Sequence, residues 1–107
     1  RCSARIPKGW HTARVCFTWI NPGAQGDARL NLFSNVSSDT NPSKQTFTTT
    51  SNRASGATNV PKREDVNTLA TVEGDVVTFS IQRLATNASD TVPGSIGIIS
   101  AWLERLS

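Results

Sequence analysis

Hydrophobic and polar positions alternate with a period of two along most of this chain. From Thr12 to Ile20, Val15, Phe17 and Trp19 fall on one side, and Arg14, Cys16 and Thr18 on the other. That alternation predicts a strand with one buried face. Asn21-Pro22-Gly23 ends it as a turn. Asp27 to Asn35 repeats the pattern, with Ala28, Leu30 and Leu32 set against Arg29 and Asn31. Val36 to Lys44, rich in Ser, Asn and Asp with Pro42, predicts a loop. Gln45 to Ser51 is a run of threonines around Phe47. Threonine favours the pleated backbone, and the single large apolar residue predicts an edge or solvent-facing strand. Asn52 to Asp65 carries Gly56, Pro61 and adjacent opposite charges and predicts irregular structure. Val66, Leu69 and Val72 predict a short strand leading into the turn Glu73-Gly74-Asp75.

The last third is the most regular. Asp75 to Leu84 sets Val77, Phe79 and Ile81 against Thr78, Ser80 and Gln82, and Ala85 to Gly94 is a polar loop. Ser95 to Leu106 predicts a long strand in which Ile96, Ile98 and Trp102 share one face and Ile99, Ala101 and Leu103 the other. Apolar sets on both faces predict cover on both sides, one side meeting the domain's own core and the other a second subunit. About seven or eight short strands, with turn signals at intervals of about ten residues, predict an all-β antiparallel sandwich. Nothing in the chain predicts a convincing helix.

Composition narrows this further. The 107 residues fit one domain, and a chain of that size buries roughly 65% of its unfolded surface, enough for one modest core. Thirty-three residues are Ser, Thr or Asn, which suits the solvated faces and loops of a sandwich. There is no methionine, so the expectation is a processed product or a piece of a longer chain. The net charge of +3 comes from scattered residues, and Lys62-Arg63 is cancelled at once by Glu64-Asp65. Without a basic stripe interleaved with aromatics, no nucleic-acid partner is expected. No apolar run approaches the roughly 20 residues of a membrane helix, so no membrane insertion is expected. Cys2 and Cys16 form no C-x-x-C motif and read as reduced thiols; a disulfide would need their strands side by side.

Little here points to chemistry. His11 is the only histidine and sits beside Trp10 at the mouth of a strand, a structural setting. The elbow G-x-S-x-G, the P-loop and the dinucleotide fingerprint are all missing. Asp27, Glu73, Asp75 and Asp90 adjoin turns, where carboxylates cap backbone N–H groups. The expectation is a non-enzymatic chain with no metal and no cofactor. Thr46, Thr48 and Thr50 form a ladder that reads as an ordinary solvated strand face. Of the three tryptophans, Trp19 is in register with Val15 and Phe17 and predicts core. Trp102 predicts core or interface, so that Trp102→Ala costs roughly 3 to 5 kcal/mol. Trp10, after Pro7-Lys8-Gly9, is the candidate for sugar contact through its ring face, or else a staple on the first strand.

The residues also carry a resemblance. Gly74-Asp75, the strand Val76-Val77-Thr78-Phe79-Ser80-Ile81-Gln82-Arg83, the loop pair Asp90-Thr91 and the strand Ile96-Gly97-Ile98-Ile99 follow one another to a close near Glu104. Together they resemble the terminal jelly-roll domain of bacteriophage tail fibres and tailspikes. Pro7, Trp10, Val15-x-Phe17-x-Trp19 and Asp27-Ala28-Arg29 fit the same pattern, while Ser34 to Asp65 matches only in being rich in Thr and Ser. The resemblance implies a homotrimer in the virion that joins other virion proteins and recognises a bacterial surface polysaccharide. Ile96, Ile98 and Trp102 would then be interface or core, Trp10 a glycan contact, and Arg83 with Asp90 a pair bracing the last loop. Two alternatives are a cement protein decorating a phage capsid and a monomeric carbohydrate-binding module of a secreted enzyme.

Overall fold

The computed structural model describes residues 2–107, the side chain of Asn67 excepted. Seven strands run in chain order as β1 (Cys2–Arg5), β2 (Thr12–Ile20), β3 (Asp27–Ser37), β4 (Gln45–Ala54), β5 (Lys62–Ala70), β6 (Val76–Arg83) and β7 (Gly97–Arg105). They form a four-stranded sheet in the order β1-β6-β3-β4 and a three-stranded sheet in the order β5-β2-β7, with every pairing antiparallel. The described residues contain no helix. Only β3 and β4 form a hairpin within one sheet. Every other connection crosses between the sheets, which is jelly-roll-like winding.

β2 has the predicted bounds, and β3 overruns its predicted end by one pair. The larger departures lie where tertiary pairing overrides local composition. β4 continues through Asn52-Arg53-Ala54 because β3 supplies partners as far as Asp27↔Ala54. β5 begins at Lys62 because its charged stretch pairs with Trp19, Thr18, Phe17 and Cys16 of β2. β1, with no large apolar residue, gives no sequence signal and exists through its ladder with β6.

The core lies between the sheets in two adjoining clusters. One holds Ile6, Val15, Val36, Leu69, Val77 and Phe79. The other holds Phe17, Trp19, Ala28, Leu30, Leu32 and Val92. The alternation on β3 is complete, with Ala28, Leu30, Leu32, Ser34 and Val36 all buried. Ser34 is the polar exception, its hydroxyl buried with no hydrogen-bond partner among the described residues. The layers make a long, thin body of 45 × 24 × 17 Å. Its radius of gyration of 15.0 Å exceeds the roughly 13 Å of a compact domain of this length. Such a shape leaves more of the sandwich interior close to an edge.

Candidate functional site: the open edge of the sandwich

The sheets are unequal, and the fourth strand of the larger one has no counterpart. β1 lies at one margin of the four-stranded sheet and β7 at the corresponding margin of the three-stranded sheet. Between them runs a groove of about 390 Å³ lined by Cys2 to Arg5 and Pro7 on one wall and by Ala101, Trp102 and Leu103 on the other. Trp10 and Phe79 complete its lining. The same cleft continues along β6 and β7 past Ile81, Ile96 and Ile98 to Arg83. The lining is mostly apolar, so this margin exposes what a closed sandwich would bury.

β7 has this form because it is bulged. Its partners on β2 run in step from Ala13↔Arg105 to Thr18↔Ser100, then jump to Trp19↔Ile98. The slip leaves Ile99 without a place in the ladder, and it is 54% exposed. Ala101 and Leu103, opposite Phe17 and Val15, pack on the core. Ile98, opposite the buried Trp19, belongs to the inner face yet stays 44% exposed at the open margin. Trp102, opposite Cys16, lies on the other face. The bulge therefore separates Ile98 from Trp102, which uninterrupted alternation had put together: one extra residue inverts the facing of all that precedes it.

The residues singled out from the sequence sort into three places. Trp10 and Trp102 both line the groove, with Trp10 half-buried against the first core cluster as a staple would be. Ile96 packs on the second cluster and lines the continuation of the cleft with Ile98. Arg83 and Asp90 form a forked ion pair, Nε donating to Oδ2 at 2.9 Å and Nη2 to Oδ1 at 2.8 Å. The Asp90 side chain is fully enclosed and also accepts the Arg29 N–H at 3.0 Å. Arg83 hydrogen-bonds the carbonyls of Val92 and Gly94 as well. Next to this pair, Thr91 Oγ1 accepts the Asp27 N–H, and Thr91 N–H donates to the Asp27 carbonyl. The last loop is thus clamped to the start of β3. Gly26 permits the approach, because a Cβ there would lie 2.8 Å from the Thr91 carbonyl oxygen. The Arg83 hydrogen bonds, aided by Arg29 N–H and opposed by desolvation, pull the Asp90 carboxyl down to about 2.

Two charged groupings had no motif to announce them. On the outer face of the three-stranded sheet, Arg14 and Arg63 pair with Asp65 and Glu104 around the Cys16 thiol. The Arg63 guanidinium also lies 5.6 Å from the Trp102 ring centroid. Burial first, and then hydrogen bonds to Asp65 and Glu104, push the Cys16 thiol up to about 11, leaving it a protonated, inert group. Cys2 and Cys16 are both free and stand in different sheets. On the inner side, Glu64 is nearly buried, accepts a hydrogen bond from Trp19 Nε1 at 3.4 Å and pairs with Arg53 and Lys62. Strand alternation through Lys62-Arg63-Glu64-Asp65 holds the signal for both, since Glu64 must face opposite to Arg63 and Asp65.

Among the described residues, no group of three or more His, Cys, Asp or Glu side chains is placed to hold a metal ion. Comparison with protein-family models, with curated proteins and with solved structures returns no match.

Proposed function

We propose that the chain is a non-enzymatic domain of a phage virion appendage, at the tip of a tail fibre or tailspike. There it assembles as a homotrimer and takes part in recognising a host-surface glycan. The observation that carries this reading is the apolar groove between β1 and β7, with Trp10 and Trp102 in its walls. Covering that margin with a neighbouring copy removes apolar surface from water at about 25 cal/mol per Å². Most homo-oligomers have closed symmetry, and a head-to-tail contact whose rotation closes gives a ring, of which a trimer is the smallest.

Further support comes from the residues that carry the resemblance, because each has a definite structural task. Gly74 adopts a φ of +86° in the turn before β6, a conformation that side chains strain. Arg83, Asp90 and Thr91 clamp the last loop. Gly97 lets the start of β7 come close to Ile20, whose Cγ2 would lie 3.4 Å from a Cβ placed there.

The test is a parallel pull-down of the labelled domain with intact host bacteria and with purified phage capsids. Retention by the bacteria and not by the capsids is expected. Retention by capsids alone would replace this reading with that of a head-decorating protein.

A further inference from the structure

The two margins of the sandwich are finished differently. Where β4 and β5 meet, side chains tie one sheet to the other. Arg53 donates to Glu64 at 2.9 Å and to the Asp65 carbonyl at 3.3 Å. Lys62 donates to the Ala54 carbonyl at 2.5 Å, and Gln45 Nε2 to the Ala70 carbonyl at 3.0 Å. β5 also brings Lys62, Arg63, Glu64 and Asp65 to that margin, and charge of this kind keeps an exposed edge from pairing with another chain. β4 has a free edge of its own, but Phe47 is its only large apolar side chain, so little apolar surface there asks for cover.

The margin of β1 and β7 has neither device. Cys2-Ser3-Ala4 and residues 97–103 contain no charged residue and no proline. Each strand is paired on one side only, β1 with β6 and β7 with β2. Among the described residues, only those two ladders hydrogen-bond the backbone of residues 2–5 and 97–103. The two free edges cannot satisfy each other within one subunit. They belong to different sheets, which pack about 10 Å apart, whereas hydrogen-bonded strands lie about 4.8 Å apart. Both strands also run toward the same end of the sandwich. β1 leads through residues 6–11 into Thr12 at the start of β2, and the chain after β7 closes beside that point, where the His11 and Thr12 N–H groups donate to the Ser107 carbonyl.

We infer that the free edge of β7 in one copy pairs in parallel with the free edge of β1 in the next, so that the three-stranded sheet of one subunit continues into the four-stranded sheet of its neighbour. The contact is head-to-tail: each copy gives β7 to one neighbour and β1 to the other. Rotation about an axis along the strands preserves their direction, which makes the pair parallel. The faces match as well. Cys2 and Ala4, opposite Phe79 and the buried Val77, face inward, as do Ile98, Ala101 and Leu103. Ser3 and Arg5 therefore face outward, as do Trp102 and Glu104. Arg5 of the neighbouring copy arrives on the Glu104 side, at the end both strands share, with the opposite charge. Pairing of like edges about a twofold would run antiparallel and forgo that match. With three copies, the open margins converge on the axis and their groove linings cover one another. The inference deepens the assembly half of the proposed function and rests on its trimer.

The experiment separates the two edges on different chains. The parent chain carries its exposed thiol on β1, at Cys2, while Cys16 is buried. A variant with Cys2→Ser and Ile98→Cys carries its exposed thiol on β7 instead; Ile98 is 44% exposed, so the melting midpoint should stay close to the parent's. The two are co-expressed in equal amounts, purified together and treated with a short bis-maleimide. A two-chain product is expected in the mixture and in neither chain alone. It should hold roughly half of the chains, because under random assembly each β7 has a parent β1 beside it half of the time. Product from the parent alone would show β1 meeting β1, product from the variant alone would show β7 meeting β7, and either would overturn the inference. So would a three-subunit particle that gives no product in the mixture. Light scattering on the same samples tells the failures apart, since a particle of one subunit's mass overturns the trimer together with this pairing, and a trimer without the product overturns the pairing alone.

Discussion

Replacing Asp90 with Asn tests the clamp on the last loop. The substitution keeps the shape of the side chain but removes its charge, which makes it a permanent mimic of the protonated acid. In the folded chain the carboxyl titrates at about 2, against an ordinary value of 3.8. At 1.36 kcal/mol for each tenfold change in proton affinity, that difference corresponds to at most about 2.5 kcal/mol. The asparagine oxygen still accepts neutral hydrogen bonds from Arg83 and the Arg29 N–H, so about 1 to 2 kcal/mol is expected near neutrality. Because the folded value is depressed, this stability is fully present above about pH 4. It is lost as pH falls through about 2, where the native aspartate becomes protonated as well. Denaturant unfolding of both chains between pH 6 and pH 2 should show a gap that closes at the acid end. Other carboxylates titrate in the same window, but they do so in both chains and cancel in the difference. A gap below about 0.5 kcal/mol at neutral pH, within the range of ordinary surface substitutions, would contradict an ionic clamp at Asp90. So would a gap that stays constant down to pH 2.

Three further outcomes follow from the packing. Ser34→Ala removes a buried hydroxyl with no partner among the described residues and should leave the chain unchanged or more stable by up to about 1 kcal/mol in denaturant unfolding; marked destabilisation would mean that the hydroxyl is satisfied. A thiol reagent at pH 8 should modify Cys2 rapidly and Cys16 only after unfolding, because Cys2 is exposed while Cys16 is buried and titrates at about 11; two fast thiols in the native chain would contradict this. Trp19→Ala should cost roughly 3 to 5 kcal/mol, the range for a buried aromatic. Trp102→Ala should cost the isolated subunit less, since Trp102 is half-buried on the outer side of β7, and thermal unfolding of the two variants would rank them.

The architecture was legible where one face of a strand meets the core. Ala28, Leu30 and Leu32 on β3 and Val15, Phe17 and Trp19 on β2 alternate without interruption, and their burial follows the pattern. β7 was legible as a strand but not in its facing. The bulge at Ile99 depends on how β7 registers against β2, and no local residue type encodes it. β1 was illegible for a related reason, since Cys2-Ser3-Ala4-Arg5 has no hydrophobic contrast and the ladder to β6 alone makes it a strand. Trp10 and Trp102 stood out as residue types, but the groove that unites them follows from sheet order, which brings β1 and β7 to one margin. The threonine ladder was visible too, but that Asn31, Phe33 and Asn35 flank it required the β3–β4 register.

We propose the open margin between β1 and β7 as an assembly surface, and the mass of the isolated chain in solution tests it. Light scattering should give about three times the 11.5 kDa of one subunit, with the Trp102 fluorescence protected from a soluble quencher. A monodisperse particle of one subunit's mass at high concentration would contradict it.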